Sequence, residues 1–144
     1  MKVENKVHPG PENVQAFLAG RDEPVVMVNL LKFKPKAEYA DGRETQLSGA
    51  QAYHLYAKGV SVLLREFGGY AAFFADVQRL MLGEVEELWD EVAIAVYPSR
   101  QAMLDMMQSE AMKDISQHRA AGLAGQLNIE TTGASGTWLN KDTA

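Results

Sequence analysis

One asparagine inside an apolar run is the residue of this sequence whose chemistry most needs an explanation. Asn29 lies near the middle of residues 25–34, a stretch rich in valine and leucine between Pro24 and Pro35. Such a run is typical of a strand that is buried on both faces. A buried amide without hydrogen-bond partners costs about 1–3 kcal/mol. Asn29 is therefore predicted either to pair with neighbours in a sheet or to donate a hydrogen bond to a bound oxyanion.

Two tyrosines and one arginine could complete a site around such an oxyanion. Tyr53 and Tyr56 lie on the apolar stripe of a predicted helix, where each hydroxyl needs a partner once it is buried. They are either amphipathic core residues or ligand contacts. Arg119 lies in the apolar stripe of a later helix, so it must face a cavity or pair with a carboxylate, for which Asp90 and Glu91 are the candidates.

Two further side chains, His118 and Trp89, could act beside these groups. His118 directly precedes Arg119 and could move a proton. Trp89 shares one face of a predicted strand with two alanines, Ala93 and Ala95, and small residues beside an aromatic wall leave the space that a small-molecule cavity requires. The alternative is that the alanines let a helix or a partner sheet approach closely.

Several other kinds of chemistry are excluded by residue type or spacing. The sequence has no cysteine, and its three histidines lack the spacing of metal ligands. The Gly-x-Ser-x-Gly and Gly-x-Gly-x-x-Gly motifs are absent, so neither a hydrolase elbow nor a dinucleotide fingerprint is present. We therefore expect no metal and no cofactor. His54 lies off the apolar stripe of its helix, and we expect both His54 and the acidic residues 84–91 to be solvated.

Composition narrows the class of protein. The 144 residues are 47% hydrophobic and carry a formal net charge of −5, without a cluster of lysine and arginine. A chain of this length and composition is typical of a single domain with one core. We expect no nucleic-acid partner, because a phosphate-binding face would need such a basic cluster. The sequence also lacks an apolar leader and a membrane-spanning stretch, so the expected location is the cytoplasm and no membrane partner is expected.

The secondary structure that must position these residues can be read from periodicity and from turn signals. Helices are predicted over residues 11–19, 50–67, 99–107 and 109–123, and strands over residues 25–34, 70–82, 88–97 and 126–132. The acidic turn at residues 83–87 would join the second and third strands into a hairpin. Residues 35–48 would form a loop long enough to act as a lid. Residues 25–132 then form the core of one domain, 1–144, and residues 133–144 a flexible tail.

This order of elements is that of a ferredoxin-like βαββαβ fold, an α+β architecture with a four-stranded antiparallel sheet and helices on one face. Its right-handed crossovers place the first and third strands in the centre of the sheet. Both of these strands are apolar at nearly every position, so the face without helices also needs a cover. A second copy packed sheet to sheet is the simplest cover, and a homodimer through the sheet face is therefore predicted.

Several short motifs also follow one another along the chain. They are residues 26–33, Gly68-Gly69, residues 89–92, residues 97–102, Ser109-Glu110 and His118-Arg119. In this order and spacing, over residues 25–131, they resemble the family catalogued as domain of unknown function 1330. The resemblance implies membership of the dimeric α/β-barrel superfamily, whose ferredoxin-like subunits pair through their sheets. That superfamily includes cofactor-free monooxygenases, isomerases, haem proteins and domains without known activity, so the resemblance implies a fold and a dimer rather than one activity.

Two functions are consistent with these residues. The first, suggested by the resemblance, is a cofactor-independent enzyme, monooxygenase- or isomerase-like, that acts on a small phenolic or enolisable compound. Its site would use Asn29 for a developing oxyanion, Arg119 for negative charge, His118 or Tyr53 for proton transfer, and Trp89 and Tyr56 as ligand contacts. The second is a non-catalytic homodimeric accessory or ligand-binding protein, in which the polar residues satisfy one another.

Overall fold

The helices of this protein begin where the sequence offers side-chain caps. The computed structural model describes residues 1–136 and residue 139. Ser48, Ser99 and Ser109 each accept a hydrogen bond from the backbone N–H three residues further on, which satisfies one of the free donors of a helix start. The elements are α1 Pro11–Leu18, β1 Val25–Phe33, α2 Gly49–Glu66, β2 Tyr70–Asp76, β3 Glu91–Tyr97, α3 Arg100–Met107, α4 Glu110–Gly122 and β4 Leu123–Thr131. None of these helices is long and apolar enough to cross a membrane.

The four strands form one antiparallel sheet in the order β2-β3-β1-β4. The predicted α+β fold with a βαββαβ core and a four-stranded antiparallel sheet is confirmed, and β1 and β3 are its central strands. In this register Asn29 lies opposite Ala93 of β3 and Asn128 of β4. The neighbours of Asn29 in the sheet are therefore the backbone of β3 and the polar side chain of Asn128.

The connection between β2 and β3 is longer than the predicted hairpin turn. β2 ends at Asp76 and β3 begins at Glu91, so the chain between them runs from residue 77 to residue 90. Just beyond these strands the Val77 N–H donates to the carbonyl oxygen of Asp90 at 2.9 Å, and the carboxylate Oδ2 of Asp90 accepts the Phe33 N–H at 2.8 Å. Met81 and Leu82 of this connection are 89% and 91% exposed. β4 likewise begins at Leu123, directly after α4, rather than at residue 126.

The core lies between the helices and one face of the sheet. Alternate residues of β1, namely Val25, Met27 and Leu31, pack there with residues of α2, α3 and α4. The opposite face of the sheet contributes none of its residues to this core, and we refer to it as the open face. Its apolar residues are Val26, Val28, Leu30, Val92, Ile94, Val96, Leu127 and Ile129. A large apolar surface of this kind is typical of a protein–protein interface.

Two glycines let the ends of α2 and α4 meet with backbone against backbone. A Cβ on Gly122 would lie 2.3 Å from the carbonyl oxygen of Gly49, and a Cβ on Gly49 would lie 2.1 Å from that of Lys34. The same three residues exchange backbone hydrogen bonds: Lys34 N–H donates to Gly122 at 2.8 Å and Gly49 N–H donates to Lys34 at 3.1 Å. Side chains at these two positions would separate elements that the fold needs in contact.

One buried arginine fastens α1 to the sheet. Arg100, 7% exposed, forms an ion pair with Glu130 of β4 at 2.6 Å. Its guanidinium also donates to the carbonyl oxygens of Arg21 at 2.8 Å and Phe17 at 3.1 Å, and lies 4.8 Å from the centroid of the Phe17 ring. Because the charge is paired and its donors are used, its burial is compensated.

Candidate functional site

Asn29 is held in a polar network inside the protein. Its side-chain N–H groups donate to the carbonyl oxygens of Ala93 at 3.1 Å and Met27 at 3.3 Å, and its oxygen accepts from Gln126 at 2.7 Å and from Asn128. Both of its donors are therefore in use. The predicted role as an oxyanion donor would require one of these bonds to break, whereas the alternative prediction, pairing within the sheet, describes the observed contacts.

Arg119 continues this network towards the helices. Its guanidinium donates to the side-chain oxygen of Gln126 at 2.6 Å and to the carbonyl oxygen of Val7 at 2.8 Å. The expectation that Asp90 or Glu91 of the same chain pairs with it is wrong, because Asp90 accepts the Phe33 N–H and pairs with Lys32, and Glu91 bonds to His54. A carboxylate partner across an interface stays a prediction. Within the described part of the chain Arg119 has no carboxylate partner, so its positive charge is not neutralised by the protein.

Three buried tyrosines lie close to Arg119 or to one another. Tyr53 and Tyr56 interact electrostatically with Arg119, and Tyr97 interacts with Tyr56. Tyr53, Tyr56 and Tyr97 are 6%, 9% and 6% exposed, and the rings of Tyr53 and Tyr56 are 5.4 Å apart. Burial raises the pKa of all three hydroxyls, an effect that the charge of Arg119 partly opposes at Tyr53 and Tyr56. These groups therefore remain protonated at neutral pH and can donate a hydrogen bond.

The hydroxyls of these tyrosines have no hydrogen-bond partner among residues 1–136 and 139. Among those residues, the one fully enclosed side-chain oxygen or nitrogen that lacks a partner is Oε2 of Glu91. Because the three hydroxyls lack partners but are not fully enclosed, they border space that a water molecule can reach. We name Tyr53, Tyr56, Tyr97 and Arg119 the tyrosine–arginine cluster. It contains three of the predicted site residues, and Tyr97 is a member that the sequence did not reveal, because the pairing of β1 with β3 brings it to the cluster.

His118 lies apart from this cluster. Its Nδ1 is 2.7 Å from the hydroxyl of Tyr39, which comes from the loop at residues 35–48. The loop contacts α4 a second time, because Arg43 donates to Gln117 at 2.7 Å. Arg43 also donates to Asp41, and its side-chain hydrogen bonds to that carboxyl lower the pKa of Asp41 to about 2. The loop thus contacts α4 at His118 and Gln117. His118 makes no contact with Tyr53, so the predicted role of His118 in proton transfer is not supported by its position.

Trp89 is also removed from the tyrosine–arginine cluster. It precedes β3, and its indole N–H donates to the side-chain oxygen of Asn5 at 2.8 Å. The residues near Asn5 run along the outer edge of β4, where Lys6 N–H donates to Gln126 at 3.2 Å. Trp89 therefore fixes the N-terminal segment, and within one chain it does not form the wall of a pocket at Asn29.

A buried carboxylate at the start of β3 was missed by sequence reasoning. Glu91 is 5% exposed, and one of its oxygens, Oε1, lies 2.9 Å from Nε2 of His54. The expectation that the whole acidic run is solvated is wrong for Glu91, whereas His54 contacts the rings of Phe33 and Phe74 but keeps a side chain that is 46% exposed, as expected. Strand parity carried the signal, because Glu91 shares the helix-covered face with Ala93 and could not remain in solvent there.

The environment of Glu91 favours its neutral form. Burial raises the pKa of its carboxyl, the hydrogen bond from His54 opposes this rise, and the neighbouring carboxyl of Asp76 adds to it. Asp76 lies directly opposite Glu91 in the pairing of β2 with β3. In the described residues, no group of three or more histidine, aspartate or glutamate side chains could hold a metal ion.

The chain is similar to two solved structures over most of its length. The crystal structure of the methylated RPA0582 protein shares 30% sequence identity, with a TM-score of 0.82 over 92% of this chain and 98% of that one. A second structure of RPA0582, described as a protein of unknown function from Rhodopseudomonas palustris, shares 27% identity, with a TM-score of 0.81 over 92% of this chain and 100% of that one. The At3g17210 protein of Arabidopsis thaliana, with 16% identity, a TM-score of 0.50 and coverage of 78% and 98%, shows a similar fold alone. No family model and no curated protein matches the sequence.

Proposed function

Because the chain belongs to the same family as the RPA0582 protein, whose function is unknown, we propose a function from its own site. The protein binds a small phenolic or enolisable compound at the tyrosine–arginine cluster, with a ligand oxygen directed at Arg119. The observation that carries this proposal is the set of three buried hydroxyls without protein partners. These hydroxyls border space that water can reach, and a polar ligand in that space would replace the water and accept their hydrogen bonds.

The charge of the cluster selects the ligand class. The guanidinium of Arg119 is not neutralised by a carboxylate, and it donates one bond to Gln126 and one to Val7, which leaves further N–H groups for a ligand. A phenolate, an enolate or a keto acid would bring the compensating negative charge. Tyr53, Tyr56 and Tyr97 would then donate to the same oxygen, the role predicted from sequence for Asn29.

In its catalytic form the proposal is a cofactor-independent reaction. Hydroxyl donors and a guanidinium directed at a developing oxyanion would stabilise an enolate or a phenolate, which is the electrostatic contribution that such reactions need. Tyr53 would hold the proton at this oxygen, since its raised pKa makes it a donor rather than a base. In the non-catalytic alternative the same groups only bind the ligand.

We also propose that the protein is a cytoplasmic homodimer assembled through the open face. The apolar residues of β1, β3 and β4 on this face lie outside the core, and the exposed fraction of Ile129 reaches 43%. A second copy would bury both faces at once through a two-fold contact. The tyrosine–arginine cluster lies on the opposite side of the sheet, so each copy would carry its own ligand site.

Removing one unpartnered hydroxyl tests the ligand site without disturbing the fold. Tyr56→Phe should leave the melting temperature within about 1 °C, because this hydroxyl makes no protein hydrogen bond. The same variant should weaken the best ligand of a panel of phenols, quinones and keto acids about tenfold, the loss of one charge-assisted hydrogen bond. Thermal-shift screening finds that ligand, and calorimetric titration gives its affinity.

Tyr39→Phe provides the matched control. Its hydroxyl bonds to His118 away from the cluster, so this variant should lose about 1 kcal/mol of stability and bind the ligand as the original protein does. Equal affinities for the original protein and Tyr56→Phe would contradict the proposed site. The absence of stabilisation by every compound of the panel would contradict the ligand class.

A further inference from the structure

A cleft at one end of the sheet contains Glu91, a carboxyl group without a complete set of hydrogen-bond partners among the described residues. The cleft has a volume of about 680 Å³ and lies between the end of β1, the start of α2 and the start of β3. Its apolar wall includes Phe33, Pro35 and Ala50, and its acidic wall includes Asp76 and Glu91. A concave site with an apolar wall and a few polar groups is the usual form of a small-molecule site.

Glu91 is the residue of this cleft that lacks a complete set of partners. Its Oε1 is bonded to His54, but its Oε2 is fully enclosed and has no hydrogen-bond partner in the described chain. An enclosed carboxylate oxygen without a donor is unfavourable by about 1–3 kcal/mol or more. Asp76, directly across the ladder, adds a second negative charge, and like charges in such cross-strand positions repel. The pair therefore needs a proton or a cation between its carboxyls.

The lysines of the cleft do not supply that cation. Lys32 donates to the carbonyl oxygen of Leu88 at 2.9 Å and pairs with Glu87 at 3.4 Å and Asp90 at 3.6 Å. Lys34 pairs with Glu38 at 3.4 Å. Both ammonium groups are therefore directed at other carboxylates, and neither forms an ion pair with Glu91 or Asp76.

We propose that this cleft binds a small organic amine, with its ammonium group between Asp76 and Glu91 and its apolar part against Phe33. Entry of the ammonium between the two side chains would expose the enclosed oxygen of Glu91, to which the ammonium would donate, and would separate the two carboxyls. A ring or alkyl chain on the amine would contact the apolar wall. The positive charge of the ammonium would also be attracted by the nearby aromatic ring of Phe33. The site is distinct from the tyrosine–arginine cluster, where the unneutralised charge is positive and selects the opposite kind of ligand.

Three probes with the same ring separate charge from shape. Benzylamine, benzyl alcohol and benzoate carry a positive, a neutral and a negative group on one benzyl or benzoyl frame, and each is titrated by calorimetry into the full-length protein. We expect benzylamine to bind at least tenfold more tightly than benzyl alcohol. Glu91→Gln should abolish this preference, since the amide of glutamine can still bond to His54 and preserve the fold, and Asp76→Asn should reduce it.

Glu84→Gln is the matched control, because it removes the same charge from a residue outside the cleft. It should leave the affinity for benzylamine unchanged. The proposal is overturned if benzylamine binds no better than benzyl alcohol, or if its affinity is the same in Glu91→Gln as in the original protein. Thermal melting of each variant shows whether the fold is retained. Failure of the phenolic ligand at the tyrosine–arginine cluster would not affect these outcomes, since the two sites share none of their ligand-binding groups.

Discussion

Ile94→Lys is expected to convert the protein from a dimer to a monomer. Ile94 lies on the open face of central strand β3, opposite Val28 of β1 and Phe73 of β2. In a two-fold sheet-to-sheet dimer this position lies inside the interface in both copies, so the substitution introduces two charges without partners. The dissociation constant should rise roughly 100-fold or more, corresponding to a loss of about 3 kcal/mol or more. Sedimentation or light scattering should then report one 15.8 kDa chain per particle.

Val62→Lys is the control for this substitution. Val62 lies on α2, away from the sheet, and is 61% exposed, so a lysine there adds the same charge without entering the proposed interface. It should remain dimeric. The proposed dimer is contradicted if the original protein has the mass of one chain at micromolar to millimolar concentrations, or if Ile94→Lys retains the mass of two.

Gly122→Ala is expected to destabilise the fold by about 3 kcal/mol, although alanine is the better helix former by about 1 kcal/mol. The new Cβ would lie 2.3 Å from the carbonyl oxygen of Gly49 and 3.0 Å from the backbone nitrogen of Tyr53. Both neighbours are backbone atoms, so relief requires α2 and α4 to separate. Urea denaturation should show the loss directly, and the melting temperature should fall by roughly 10 °C.

The sign of this change distinguishes packing from helix propensity. If propensity dominated, the variant would be more stable than the original protein, and the close approach of the two helices would be contradicted. Gly10→Ala is the comparison, since a Cβ at that position has no neighbour closer than Asn13 Oδ1 at 3.4 Å. Its effect on the free energy of unfolding should stay below about 1 kcal/mol.

The fold could be predicted because its signals are local and strongly periodic. The stripe of α2 and the serine caps of α3 and α4 placed these helices within one or two residues of their observed bounds. The end of β2 could not be placed, because it depends on the partner strand. Asp90 still accepts the Val77 N–H through its carbonyl oxygen, while its N–H and its carboxylate bond to the end of β1. Residues 137, 138 and 140–144 of the predicted flexible tail lie outside the described residues.

The candidate site was less predictable because its contacts join distant segments. Asn29 lies on the helix-covered face, and its partner Gln126 is set by the register of β4. His118 and Arg119 are adjacent in sequence, yet one contacts the loop at residues 35–48 and the other the interior. The membership of these residues in one site could therefore not be derived from spacing, and the resemblance to the family of domain of unknown function 1330 stays a prediction.

The fastening of α1 by Arg100 has a consequence for local unfolding. One guanidinium connects residues 17 and 21, near the start of the chain, to Glu130, near the end of the last strand. α1 buries none of its own residues fully, so its order depends on this connection. Release of the arginine would free α1 and the end of β4 in one opening event. The amides of α1 and of the end of β4 should then exchange with solvent deuterium at a common rate, as one cooperative unit that opens before the central strands.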